Sequence, residues 1–221
     1  PENVQAVAYE TQNTIINHNL FEWTEKTGVP SICMLGMYLP SAEATAVIPV
    51  KNEDASEPEK LMNDDYFGKM AEDHLKTSEG TVFMKADGNA RGKIGIPPKN
   101  AKNKIGSYHV DKNTLTIIQF DLPENEMKYV NSKWETQEDP FDGDAVNAYN
   151  DGPDDKGKQM GPFYELESSS PAARLGSSFL LTHHQQVFHF EGEKEALNNL
   201  SKELLGVELD TIKEAFYTLN G

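Results

Sequence analysis

Up to about residue 190 the chain is a succession of short β-prone segments broken by Gly, Pro, Asn and Asp. The clearest run over 4–16, 32–39, 45–50, 81–85, 115–120, 163–167 and 179–190. Strands joined by turns, without helices between them, predict antiparallel sheets rather than alternating βαβ units. Two helices are expected only at the end. The stretch 193–205 sets Leu197, Leu200, Leu204 and Leu205 on one side and meets Gly206 as a stop signal. Beyond it, Asp210 is placed to cap a short helix carrying Ile212, Ala215 and Phe216. The expected fold is therefore mainly β, an antiparallel β-sandwich with two C-terminal helices over about 193–217, forming one domain across 1–221. Between the strands lie an acidic loop at 52–59, a short helix expected around 64–75 and a turn-rich run at 135–161.

Composition removes several function classes. With 36 acidic against 20 basic side chains the net charge is −16, which repels phosphate backbones and argues against nucleic acid as a partner. The longest apolar stretches, 31–39 and 44–50, are far below the roughly 18 residues that span a bilayer. One cysteine, Cys33, permits no internal disulfide, and no CxxC pair or His/Cys cluster is available for zinc. Neutral ligands fit such a chain best, with no cofactor and no metal implied. The chain opens almost directly in strand-like sequence, without a charged or apolar leader. That abrupt start predicts a missing N-terminal portion of a longer protein, and with it part of any binding site.

The densest chemistry falls between Met160 and Phe190. Side chains alternate along a strand, so Glu165 and Glu167 share one face while Tyr164 and Leu166 share the other. Two carboxylates about 6.5 Å apart on one face need either water or a cationic partner. The following β-prone segment brings His183, His184 and His189, which makes a Glu–His pair a candidate arrangement. A glycoside hydrolase pair is disfavoured, because its carboxylates flank the scissile bond at about 5–9.5 Å from different directions, whereas neighbours on one strand face project in parallel. Near the start, His18 follows a strand and precedes the aromatic run Leu20-Phe21-Glu22-Trp23, a suitable place for acid–base work. Trp134 and Tyr149 offer flat apolar surfaces of the kind that match a pyranose face, with core packing as their ordinary role. Arg91, Lys93, Lys99, Lys102 and Lys104 form one basic island, suited to an acidic sugar or to an exposed charged hairpin. The acidic run Glu138, Asp139, Asp142, Asp144, Asp151, Asp154 and Asp155 lacks the regular spacing of a calcium loop and is expected to be a solvated surface.

Two segments resemble the galactose mutarotases (aldose 1-epimerases), in that family's order. Asn17-His18-x-x-Phe21 is similar to a family segment that follows a strand of its second half. Leu166-Glu167-Ser168-Ser169, then Leu175-Gly176 and Val187-Phe188-His189-Phe190, is similar to its closing strands. More broadly, the chain resembles an uncharacterised bacterial family within the mutarotase-like superfamily. This likeness rests on Tyr66-Phe67-Gly68-Lys69, on Gly143-Asp144-Ala145-Val146-Asn147-Ala148-Tyr149-Asn150-Asp151-Gly152-Pro153 and on Tyr164-Glu165-Leu166-Glu167-Ser168-Ser169-Ser170-Pro171-Ala172-Ala173. The resemblance implies a mutarotase-like supersandwich, a carbohydrate ligand, export to the periplasm or cell exterior, and Glu167 as general base with His18 as general acid. Such a pair removes the anomeric hydroxyl proton while protonating the ring oxygen. Beside that pair, the residues themselves offer His183, His184, Glu165, Trp134, Tyr149 and Arg91 as candidates for substrate binding. The chain departs from the mutarotase pattern at Leu175-Gly176-Ser177-Ser178, which lacks Pro-Gly-Glu, and at Ser168-Ser169, which stand where Thr-Gln is usual. The alternative reading is a non-catalytic glycan-binding or structural domain.

Overall fold

The computed structural model describes residues 3–51 and 61–217, so the acidic loop at 52–59 lies outside the described residues. Among the described residues, eleven strands form two sheets: β1 (Val4–Ile16), β2 (Cys33–Tyr38), β3 (Ala44–Pro49), β4 (Leu75–Ser78), β5 (Thr81–Lys85), β6 (Gly92–Ile96), β7 (Lys104–His109), β8 (Thr114–Phe120), β9 (Val146–Asn150), β10 (Tyr164–Ser169) and β11 (Leu180–Gly192). The larger sheet has the order β1-β11-β8-β7-β3-β5-β4 and the smaller the order β2-β10-β9-β6. All of these strand pairs are antiparallel. Two helices follow, α1 (Lys194–Leu205) and α2 (Leu209–Glu214).

Burial explains the layering. β3 reads Ala-Thr-Ala-Val-Ile-Pro and is buried at every position, as a strand covered on both faces requires. One face of the large sheet packs on the small sheet through Ala46, Ile48, Val82, Ile105 and Ile118, which meet Ile94, Ile96, Ala148, Tyr164 and Leu166. Its other face, with Val47, Phe83, Tyr108 and Ile117, is closed by Leu197, Leu205, Leu209 and Ile212 of the helices. The inner face of the small sheet packs in this core, and its outer face, from which Glu165 and Glu167 project, is partly covered by loops that bury Asn147, Tyr149 and Glu167. No helix among the described residues is long and apolar enough to cross a membrane.

Several expectations need correction. No helix forms at 64–75, where bends and turns run from an isolated bridge at Asn63 to β4. Gly68 in that stretch has φ +91°, which a helix interior does not admit. The turn-rich run at 135–161 contains β9, and the basic island does not form one hairpin loop: Lys93 lies in β6 and Lys104 in β7, strands of different sheets, with Lys99 and Lys102 in the connection between them and Arg91 just before β6. Asp210 lies in the first turn of α2, whose N-cap is Glu208. Gly206 does end α1, with φ 76° and its N–H bonded to the carbonyls of Lys202 and Ser201.

Candidate functional site

The outer face of the small sheet carries a hollow of about 400 Å³, within the size range of small-ligand sites. Strand register builds its floor. Met37, Glu165, Tyr149 and Lys93 stand side by side on β2, β10, β9 and β6, and the neighbouring row is Leu35, Glu167, Asn147 and Gly95. Tyr164 and Leu166, of opposite parity on β10, are buried in the shared core, as alternation predicts. Loops supply the walls: Tyr66 and Phe67 precede β4, Ser132 and Trp134 lie between β8 and β9, and Met160 and Phe163 precede β10.

Glu167 is 3% exposed and its charge is matched by Lys93, whose Nζ donates to both carboxylate oxygens at 3.0 Å. The Cys33 thiol points to the same carboxylate, with Sγ 3.7 Å from Oε2. Burial and the Glu167 charge push the Cys33 thiol up, which keeps it protonated. Glu165 is half-buried, and burial together with the Glu167 charge raises it to about 6.

Beneath the loop wall sits a third carboxylate, Asp144, buried at 3% exposure. It accepts hydrogen bonds from Tyr66 Oη at 2.6 Å and from Asn63 Nδ2 at 2.9 and 3.0 Å. Burial raises Asp144 to about 6 against the opposing effect of these donors. Asn147 Nδ2 donates to Tyr66 Oη at 3.2 Å, so the tyrosine is held between the two. A glycine is required at position 95 for space: a Cβ there would stand 1.9 Å from Asp144 Oδ2.

The rim is aromatic. Phe67 meets Trp134 edge-on at 6.2 Å and Tyr149 at 5.8 Å, and Tyr149 meets Phe163 at 5.7 Å between ring centroids. Trp134 is 86% exposed, so its ring is presented to solvent rather than packed in the core. Tyr149 is nearly buried, with its hydroxyl donating to Asp151 Oδ1 at 2.7 Å. Arg91 lies over the Phe67 ring at 4.1 Å from its centroid. The arrangement offers flat apolar faces above a floor of hydrogen-bonding charges.

Of the candidates named from sequence, Glu165, Glu167, Trp134 and Tyr149 line this hollow, and Arg91 stacks on one of its walls. The three histidines do not join them. His18 is exposed in the loop after β1 and is absent from the lining, so the structure does not bring it to Glu167. The neighbouring Asn17 is buried instead, donating to the carbonyls of Phe21 and Leu175. A Glu–His pair does not form, because β11 meets β10 from its inner face at Ser168 whereas Glu165 and Glu167 project from the outer face, where the cation facing Glu167 is Lys93. His183 is buried between the sheets with Nε2 2.8 Å from Ser168 Oγ, and burial lowers its pKa. It borders a separate hollow of about 480 Å³ lined by Asp121, Glu126, Lys128 and Arg174. His184, on the other face of β11, has its Nδ1 2.7 Å from Asp121 Oδ2. His189 contacts Thr116 Oγ1 at 3.0 Å. No group of three or more His, Cys, Asp or Glu side chains that would hold a metal ion occurs among the described residues.

Sequence reasoning placed Lys93 in a basic island and passed over Leu35, Met37, Phe163 and Ser132. The signal for others was present. Tyr66, Phe67, Asp144 and Asn147 stand in two of the three stretches through which the chain resembles the uncharacterised bacterial family, and these two meet at the hollow.

No curated protein matches the chain. Among solved structures, the Slr1438 protein from Synechocystis sp. PCC 6803 aligns with a TM-score of 0.45 at 10% identity, over 84% of this chain and 51% of that one. The chain thus spans about half the length of that structure. A model of a protein family matches residues 1–216, and by that match the chain belongs to a family of unknown function, DUF6786.

Proposed function

We propose that the hollow on the outer face of the small sheet binds a carbohydrate. The observation that carries this reading is the convergence of Trp134, Tyr149, Glu165 and Glu167, from separate segments, on one 400 Å³ depression. A pyranose has an apolar face, which the exposed Trp134 ring matches, and an equatorial belt of hydroxyls, which Lys93 and the two carboxylates serve as donor and acceptors. The reading also agrees with the likeness to galactose mutarotases, and it gives Glu167 a sugar-holding role. Glu167 and His18 do not share a hollow, so the geometry favours holding a sugar over epimerising it with that pair.

Isothermal titration against a panel of aldoses, amino sugars and uronates tests the proposal. At least one class binds, and Trp134→Ala weakens it about fivefold, the loss of roughly 1 kcal/mol of stacking. Absence of heat across the whole panel, or affinity indifferent to Trp134→Ala, contradicts it.

A further inference from the structure

We infer that the sugar taken by this hollow is an amino sugar, with its ammonium group paired to Glu165; the inference rests on the carbohydrate reading and narrows it. Charge inside the hollow is unbalanced. Lys93 is the one cation among the described residues that line it, and its Nζ is committed to both oxygens of Glu167. Glu165, on the same strand face, makes no hydrogen bond or ion pair among the described residues, although it is half-buried beside largely apolar walls. A carboxylate in that position gains most from a ligand that carries its own positive charge and several N–H donors.

The walls favour the same charge. Aromatic faces are electron-rich, and rings here already gather cations: Arg91 on Phe67 at 4.1 Å, and Lys93 and Lys133 near Tyr66 at 5.3 and 5.9 Å. The exposed Trp134 and the part-buried Phe163 remain for a ligand. An acidic sugar would face two glutamates, with only the third N–H of a Lys93 whose charge Glu167 already balances to offset them. A neutral sugar would leave Glu165 without a counter-charge.

Binding is then coupled to protonation of Glu165. The groups that face it are Glu167 on its own strand, Cys33 on β2, Tyr149 on β9, Lys93 on β6, and Asp151 and Tyr66 from the adjoining loops. Burial, Glu167 and Asp151 raise its pKa to about 6 while Lys93 opposes them. An ammonium partner favours the ionised form, so affinity rises as pH increases through that value, by about tenfold between pH 5 and pH 7.

Titration calorimetry with glucosamine and galactosamine, their parent neutral sugars, glucuronate and tetramethylammonium separates the outcomes. The amino sugars bind about tenfold more tightly than the neutral sugars at pH 7, lose that advantage at pH 5, and fall to the affinity of the neutral sugars in Glu165→Gln. The pH dependence is read on the parent protein and needs no variant. Neutral sugars or glucuronate binding as tightly as the amino sugars overturns the inference while leaving the carbohydrate reading in place. Tetramethylammonium binding as tightly as an amino sugar overturns the requirement for a sugar ring. No binding by any sugar removes both.

Discussion

At the scale of single residues, Asp144 is a carboxylate whose chemistry departs clearly from its exposed behaviour. Its carboxylate lies against Gly95, accepts from Tyr66 and Asn63, and has its pKa raised by burial to about 6. The folded protein therefore holds a proton there that the unfolded chain releases near pH 4, so this group's contribution to stability falls as pH rises from about 4 through 6. Asp144→Asn removes that dependence. Denaturation followed between pH 4 and pH 7 should show the difference in stability between variant and parent shifting towards the variant by roughly 3 kcal/mol. A difference that stays constant across this range contradicts the assignment. Glu165 and Glu167 were legible as a pair because alternation along a strand is a local property. Lys93 was not, since its meeting with Glu167 depends on β9 lying between β6 and β10. His18 was misread for a related reason: a histidine at a strand end looks the same whether the strand ends at a hollow or at open solvent.

Among elements, long periodic stretches were readable and short interrupted ones were not. β1 occupies the expected span, and β10, β11 and α1 begin within one residue of theirs. β6 reads Gly-Lys-Ile-Gly-Ile, too short and glycine-rich to stand out, yet it supplies both Lys93 and the space above Gly95. β9 lies in a run dense in Asp, Asn and Gly, where turn-forming residues mask five strand positions. The stretch 64–75, expected to be a short helix, instead runs over the outer face of the small sheet and closes the hollow with Tyr66 and Phe67. The helical layer has a different task. Leu197 of α1 is fully buried against Val47, Phe83 and Tyr108 on the far side of the large sheet. Leu197→Ala should destabilise the fold by about 2–5 kcal/mol in chemical denaturation, without altering sugar affinity under conditions where the variant remains folded. A loss below about 0.5 kcal/mol, or a change in affinity of the folded variant, would show that the layers are not arranged as described.

For the molecule as a whole, three layers divide the labour: helices seal one face of the large sheet, the small sheet seals the other, and the outer face of the small sheet is left for a ligand. A net charge of −16 surrounds that face, which disfavours anionic ligands before they reach the two glutamates. The histidines that drew attention in the sequence lie on or beside β1 and β11 of the large sheet, away from this lining. The two regions can be told apart in solution. Backbone amide NMR spectra recorded during titration with an amino sugar are predicted to shift at Leu35, Lys93, Tyr149, Glu165 and Glu167 while His18, His183 and His184 stay in place. Shifts centred on the histidines, with the outer face of the small sheet unmoved, would contradict the account.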